Sequence, residues 1–304
     1  MIKQTALVDD QCQRTPDILL TIMTRPSRPS DRKGPPSPKK PASPKPLDSR
    51  PTDWSQVADW YDQLVGDEGS EYHREVVLPG VMKLLEIKAG EKVLDVACGQ
   101  GVLCRLLHAA QARVTGIDAA KPLIDAARQR SDSKIHYMVG DARELDHHGK
   151  LAGQFHAAAC VLAIANINPI GPVFEGIANA LVSDGTGRVV IVMNHPVFRG
   201  PPYTHWGWDE KSMTQYRRID RYMTSRKEPI VTHPGKDPGK YTWTFHRPMS
   251  VYVKALKQAG LLVDSIEEWC SHKHSDSGPR AKAENLSRRE IPMFMAIRAV
   301  KMKV

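Results

Sequence analysis

Between residues 92 and 301 the chain alternates two patterns of apolar residues. Short, mainly apolar runs, "KVLDVA", "RVTGID", "IHYMVGD", "FHAAACVLAIA" and "GRVVIVM", read as strands buried on both faces. Between them lie "GVLCRLLHAAQ", "KPLIDAARQRS" and "GPVFEGIANALV", where apolar positions return at the spacing of a helix with one buried side. Pro122 stands near the first turn of the second of these, where a missing N–H costs nothing. Strand and helix in alternation predict an α/β fold, a doubly wound parallel sheet covered on both faces.

Two regions break the alternation. Upstream, "DWSQVADWYDQLVG" spaces Trp54, Val57, Trp60, Tyr61 and Leu64 along one helical face behind Asp53, a good N-cap. "REVVLPGVMKLLEI" predicts a second helix, bent or interrupted at Pro79-Gly80. Downstream, the periodicity stops over residues 196–247 and resumes with a helix, "MSVYVKALKQAG", a strand, "LLVDSIEEW", a polar loop and a last strand, "IPMFMAIRAVK". The interruption is rich in aromatic residues, Tyr203, Trp206, Trp208 and Trp243 among them. A long aromatic insert in a compact domain predicts a substrate-side lid or pocket wall.

Composition changes only the N-terminal end of this picture. The chain of 304 residues carries a net charge of +9, but residues 25–50 hold eight lysines and arginines against two aspartates. Residues 1–51, rich in Pro, Ser and Lys over their second half, predict a disordered basic tail, and residues 52–304 one folded domain. Met23 is a plausible alternative start. The N-terminus carries acids where a targeting peptide is basic, and no apolar run is long enough to span a bilayer. The five cysteines form no CxxC pair, so neither a zinc site nor a disulfide framework is expected and no metal ligand is assigned. These features point to a cytoplasmic protein with free thiols.

The chemistry starts at "VLDVACGQG", an apolar strand running into a glycine turn and then a helix. A dinucleotide site needs a third glycine, where Cys104 stands here, and a phosphate loop needs the GK[ST] that is absent. Asp118 closes the second strand, placed to accept ribose hydroxyls, and Asp141 follows the third, where an adenine amino group finds an acceptor. Asp95 adds a negative charge ahead of the glycines, which suits an ammonium and a sulfonium and repels a pyrophosphate. The same acids also serve as strand-end and turn caps in many folds.

In this order, "VLDVACGQG", "GID", "GDARELD" and "FHAAACVLAIANI" resemble the four motifs of the class I S-adenosylmethionine-dependent methyltransferases, over about residues 53 to 304. The branch they look most like is the small-molecule one of the ubiquinone and menaquinone enzymes. The resemblance implies a Rossmann-like seven-stranded sheet with an antiparallel last strand, matched by "IPMFMAIRAVK", and S-adenosylmethionine as cofactor. It assigns Asp95 and Gly99 to Gly101 to the methionine end, Asp118 to the ribose and Asp141 with Ala142 to the adenine, and Ala97, Cys98, Ala119 and Leu162 join them as cofactor-binding positions. Residues 52–90 are then N-terminal lid helices in which Tyr61 and His73 close over the cofactor. Cys98 reads as a small packing residue, since nothing near it in sequence lowers its pKa.

Ligands of open parallel sheets lie beyond the carboxyl ends of the strands. That puts the methyl acceptor near Asn166, Asn194 and His195, and makes His195 and Asn166 the candidate catalytic residues. His195 is the first choice for a general base because its pKa lies near neutrality. His205, His233 and His246 are weaker choices. Arg217 and Arg218 either pair with an acidic substrate or form surface salt bridges. The expected partner is a small-molecule acceptor. Two other readings stand beside it: an RNA or protein methyltransferase guided by the basic tail, and a cofactor-binding regulator without activity.

Overall fold

A computed structural model describes residues 54–200, 202–233 and 237–303. The basic tail and the Asp53 cap lie outside these residues. The folded unit spans Thr52–Val304.

Its centre is a seven-stranded sheet. In chain order the strands are β1 (Lys92–Val96), β2 (Arg113–Asp118), β3 (His136–Val139), β4 (Ala157–Val161), β5 (Arg188–Asn194), β10 (Leu261–Trp269) and β11 (Phe294–Lys301). Across the sheet they run β10-β11-β5-β4-β1-β2-β3. β1 pairs in parallel with both β2 and β4, and β11 is antiparallel to β5 and β10. The chain therefore winds outward from β1 in one direction and returns to wind in the other, leaving a crevice between β1 and β4.

Burial explains which sequences became which strands. All seven side chains of β5 but the last are buried, as a central parallel strand requires. β10, at the sheet edge, alternates between inward and outward positions. The helices α3 (Val102–Ala109), α4 (Lys121–Arg130), α5 (Gly171–Ala180) and α6 (Met249–Gln258) follow β1, β2, β4 and the insert. One core runs through Leu94, Ile117, Phe174, Ile191 and Tyr252.

The N-terminal segment forms a short 3-10 turn over Ser55–Val57, then α1 (Ala58–Val65), then a π-turn over His73–Val77 that runs into α2 (Leu78–Leu85). The irregularity thus lies before Pro79, which sits in the first turn of α2 where its missing N–H costs nothing. Gly80 does not interrupt the helix either. A Cβ there would lie 2.3 Å from the Trp269 ring, so glycine allows α2 to pack directly on the end of β10.

Residues 196–247 are not an irregular loop. They hold two antiparallel ribbons, β6 (Thr204–Asp209) with β7 (Thr214–Ile219) and β8 (Arg226–His233) with β9 (Asp237–His246). The polar stretch after β10 contains a further helix, α7 (Ala281–Glu290), whose Ser287 bonds Gln215 on β7. Strand "FHAAACVLAIA" is shorter than its apolar run: β4 ends at Val161 and a 3-10 turn takes over at Ile164–Asn166.

Candidate active site

The turn after β1 is held by backbone groups. Ala97, Gly99 and Gly101 all have positive φ, at 58°, 55° and 81°. Cys98 N–H donates to Ile117 O, and Gly101 N–H donates to Cys98 O, each at 3.0 Å. Gly101 then caps α3 in the left-handed region, where a glycine costs least. It also has no room for a side chain, since a Cβ would lie 2.3 Å from Tyr137 Oη.

Asp118, at the end of β2, clamps this turn. Its Oδ2 accepts from Gly99 N–H at 2.9 Å and its Oδ1 from Ala120 N–H at 2.8 Å. Each oxygen keeps a further lone pair for another donor. Burial raises its pKa, and the two N–H bonds work against that rise. Ala119, between the two, is exposed. Asp95 lies deeper, 2 % exposed, with the Cys104 thiol bonded to its Oδ2 at 3.1 Å. Burial pushes its pKa up to about 7.

Asp141 follows at the next strand end, brought beside Asp118 by the pairing of β2 with β3. It caps the 3-10 turn Ala142–His147 through Arg143 N–H at 2.8 Å, and its carboxylate also takes the Arg143 guanidinium. That ion pair holds it below the usual carboxylate range. Ala142 behind it is part of the core. Leu162, just past β4, is a bulky residue at φ 55°, a backbone state that costs about 1–2 kcal/mol and that clusters at functional edges.

α1 roofs this group. Tyr61 Cε1 lies 3.4 Å from where a Cβ on Gly99 would stand, so the missing side chain is replaced by a tyrosine ring. Burial, with Asp118 and Asp95 nearby, raises the phenol's pKa. Trp54 meets Tyr61 edge to face at 5.5 Å, and both pack on Ala58, Ala120 and Leu123. Asp62 forms a two-pronged ion pair with Arg130 of α4, and Gln100 of the turn donates to Gly66 O. His73 does not share this position. It is buried against Gly69 and bonded to Ser70, and burial lowers its pKa to about 4.

On the other side of the crevice, His195 follows β5 and is 2 % exposed. Its Nδ1 accepts from Val197 N–H at 3.2 Å, so its proton is on Nε2, which donates to Glu268 Oε1 at 2.7 Å. Burial lowers its pKa, against the pull of Glu268. The ring is therefore neutral, with its lone pair resting on a peptide N–H at the long end of hydrogen-bond distances. Asn166 ends the turn after β4, and β9 packs there through Thr244, whose hydroxyl meets Ala165 O. Asn194 ends β5 opposite Phe294. His205 lies near Asp220 at 3.7 Å, and His246 is bonded to Tyr222 O. His233 stands at the end of β8.

The donor set fits an adenosyl sulfonium. Three carboxylates stand at or near the ends of consecutive strands, while residues 97–101 contain no cation to meet a pyrophosphate. A family profile described as "Methyltransferase domain" matches residues 93–185, the stretch from β1 to the end of α5 and just beyond. The fold is shared with a solved S-adenosylmethionine-dependent methyltransferase from Mesorhizobium loti, at a TM-score of 0.58 and 25% identity over 73% of this chain and 96% of that one.

The chain carries an S-adenosylmethionine-dependent methyltransferase domain.

Two curated relatives extend this. The methyltransferase is 29% identical over 251 residues to dTDP-3-amino-3,6-dideoxy-alpha-D-glucopyranose N,N-dimethyltransferase of Streptomyces fradiae, covering 75% of this chain and 93% of the relative. It is 34% identical over 82 residues to a ubiquinone biosynthesis O-methyltransferase of Aromatoleum aromaticum, where the match spans 26% of this chain and 34% of the relative. Among the described residues, no helix of the methyltransferase is long and apolar enough to cross a membrane.

Sequence alone missed several partners at this site. Glu268, Arg143 and the Ala120 N–H carry no local signal of their roles. Glu268 reaches His195 across 73 positions of sequence. Only the outward phase of β10, in which Glu268 alternates with inward-facing positions, hints at a solvent-side carboxylate.

Proposed function

We propose that this methyltransferase transfers the methyl group of S-adenosylmethionine to a small-molecule acceptor in the cytoplasm. The observation that carries the reading is the Asp118 clamp, a carboxylate joined to Gly99 N–H and Ala120 N–H under the Tyr61 ring. It is an anionic, glycine-bared cradle made for a cationic nucleoside. Similarity over three quarters of the chain to a sugar N,N-dimethyltransferase, with a shorter match to a quinone-pathway O-methyltransferase, supports a small acceptor. The four described cysteines are free, as suits a reducing compartment.

Bound S-adenosylmethionine supplies an activated methyl sulfonium. Asp95, Ala97, Cys98, Gly99 and Gly101 hold its methionine end, Asp118 with Ala119 its ribose and Asp141 with Ala142 its adenine, while Leu162 completes the lining. In-line displacement at a sulfonium draws much of its rate from positioning. Tyr61 closes the cleft and excludes water. Asn166 orients the acceptor at the end of β4. Where the acceptor must lose a proton, His195 takes it on Nδ1 in place of the Val197 N–H, and Glu268 steadies the resulting imidazolium through Nε2.

Calorimetry with S-adenosylhomocysteine, followed by a co-crystal, tests the cofactor half. Binding beside Gly99 is expected. Absence of binding, or its replacement by a nicotinamide dinucleotide, ends the reading. RNA filter binding with and without residues 1–51 tests the rival acceptor. Binding that falls steeply with salt and requires the tail would favour RNA.

A further inference from the structure

Arg217 and Arg218 are neighbours in sequence and opposites in structure. Strand alternation sends them to different faces of β7. Arg218 is exposed and pairs with Asp220 at 2.9 Å, an ordinary surface salt bridge. Arg217 turns inward. Its Nε donates to Phe198 O at 2.8 Å, and its Nη2 donates to Thr204 Oγ1 at 2.8 Å and Thr204 O at 3.3 Å. All three acceptors are neutral, and among the described residues no carboxylate lies within ion-pair distance of Arg217.

A second cation shares the spot. The Arg217 guanidinium lies 5.0 Å from the centre of the Trp206 indole, and that of Arg199 lies 5.7 Å from the same ring. Burial, reinforced by the charge of Arg199, pulls the Arg217 pKa down to about 10. Glu268 is engaged with His195 instead. Two guanidiniums on one indole, one of them half-buried without a counter-ion, are an unfavourable arrangement that a dianion would relieve.

We propose that Arg217 and Arg199, gathered on Trp206, bind the phosphoryl end of the methyl acceptor. The inference rests on the methyltransferase reading and names its substrate class: a phosphate or diphosphate ester. Arg217 is pre-oriented for the task, because Nε and Nη2 are pinned by Phe198 and Thr204 and Nη1 carries the donors these bonds do not use. The two N–H bonds of Nη1 lie in the plane that this pinning fixes, so they can meet a phosphoryl oxygen with little further loss of entropy. The position is also right. Phe198, which receives the Arg217 bond, stacks on His195 with ring centres 4.8 Å apart, at the carboxyl end of β5. An acceptor anchored here by its charged end has its other end free to reach toward β4, the next strand of the sheet.

The test titrates inorganic pyrophosphate, at low ionic strength, into the full chain saturated with S-adenosylhomocysteine, followed by calorimetry. Saturable binding is expected. Arg217→Ala and Arg199→Gln should each weaken it by about tenfold or more, the loss typical of a charged hydrogen bond, and Arg218→Ala should leave it unchanged. If Arg217→Ala does not fold, judged by circular dichroism, Arg199→Gln carries the test. No saturable binding to the wild type, or an equal loss in Arg218→Ala, would overturn the proposal. The two readings fail separately: loss of S-adenosylhomocysteine binding strikes the methyltransferase site, whereas its retention without pyrophosphate binding strikes only the arginine site.

Discussion

The glycine turn after β1 and the region after β5 both serve the carboxyl edge of one sheet, but they are held by different means. In the turn, backbone conformation does most of the positioning: three residues at positive φ, N–H groups donated to Asp118, and a glycine with no space for a Cβ. After β5, side chains do it: His195 reaches Glu268 on β10, and Arg217 ties β7 back to Phe198. Backbone-built sites are local and announce themselves in short motifs. Side-chain-built sites draw on elements far apart in sequence, and so they vary without disturbing the fold. A methyltransferase that keeps its donor and changes its acceptor needs that division.

The difference can be broken first at His195. His195→Ala should lower turnover about 100-fold, the usual worth of a positioned base, with little change in donor affinity. Single-turnover rates with a methyl acceptor check this, and equal rates would leave His195 a scaffold residue. Gly101→Ala should act on the backbone side instead. It meets Tyr137 Oη at 2.3 Å and keeps a left-handed φ, so a loss of about 2 kcal/mol in denaturant stability is expected. Asp118→Ala removes the acceptor of two N–H groups and, on the proposed reading, of the ribose, and should weaken S-adenosylhomocysteine binding by more than about 1 kcal/mol by calorimetry.

The finest probe is the proton on Asp95. Its folded pKa of about 7 lies above the ordinary carboxylate value, so the native state holds a proton that the unfolded chain has lost. Its contribution to stability is therefore full in acid and is lost as pH rises through about 7. A cationic donor favours the ionised form, so binding near neutrality should release a fraction of a proton. Calorimetry in two buffers of different ionisation enthalpy measures that release, and Asp95→Asn should reduce it and flatten the fall of stability between about pH 4 and 7 that Asp95 contributes.

The sequence was readable where one pattern serves one purpose. The mainly apolar runs of β1 and β5 require burial on both faces, and the order of Asp95, Asp118 and Asp141 follows from the order of the strands they lie in or just beyond. It was less readable where a segment is half exposed. The ribbons of residues 204–246 mix aromatic, basic and proline positions, and α7 carries mainly polar residues, so neither shows the contrast of apolar and polar positions that marks an element. Their stability comes from contacts such as Ser287 with Gln215, which no local window contains.

The amino-acid sequence by itself determined the alternating sheet, the glycine turn and the three acids, because periodicity and backbone permissiveness are properties of neighbouring residues. Only the tertiary structure decided that His195 is neutral and bonded to Glu268, that Tyr61 covers Gly99, and that Arg217 is half-buried beside Arg199 while Arg218 is exposed. Those outcomes depend on which groups lose water together, and that is settled when distant segments pack.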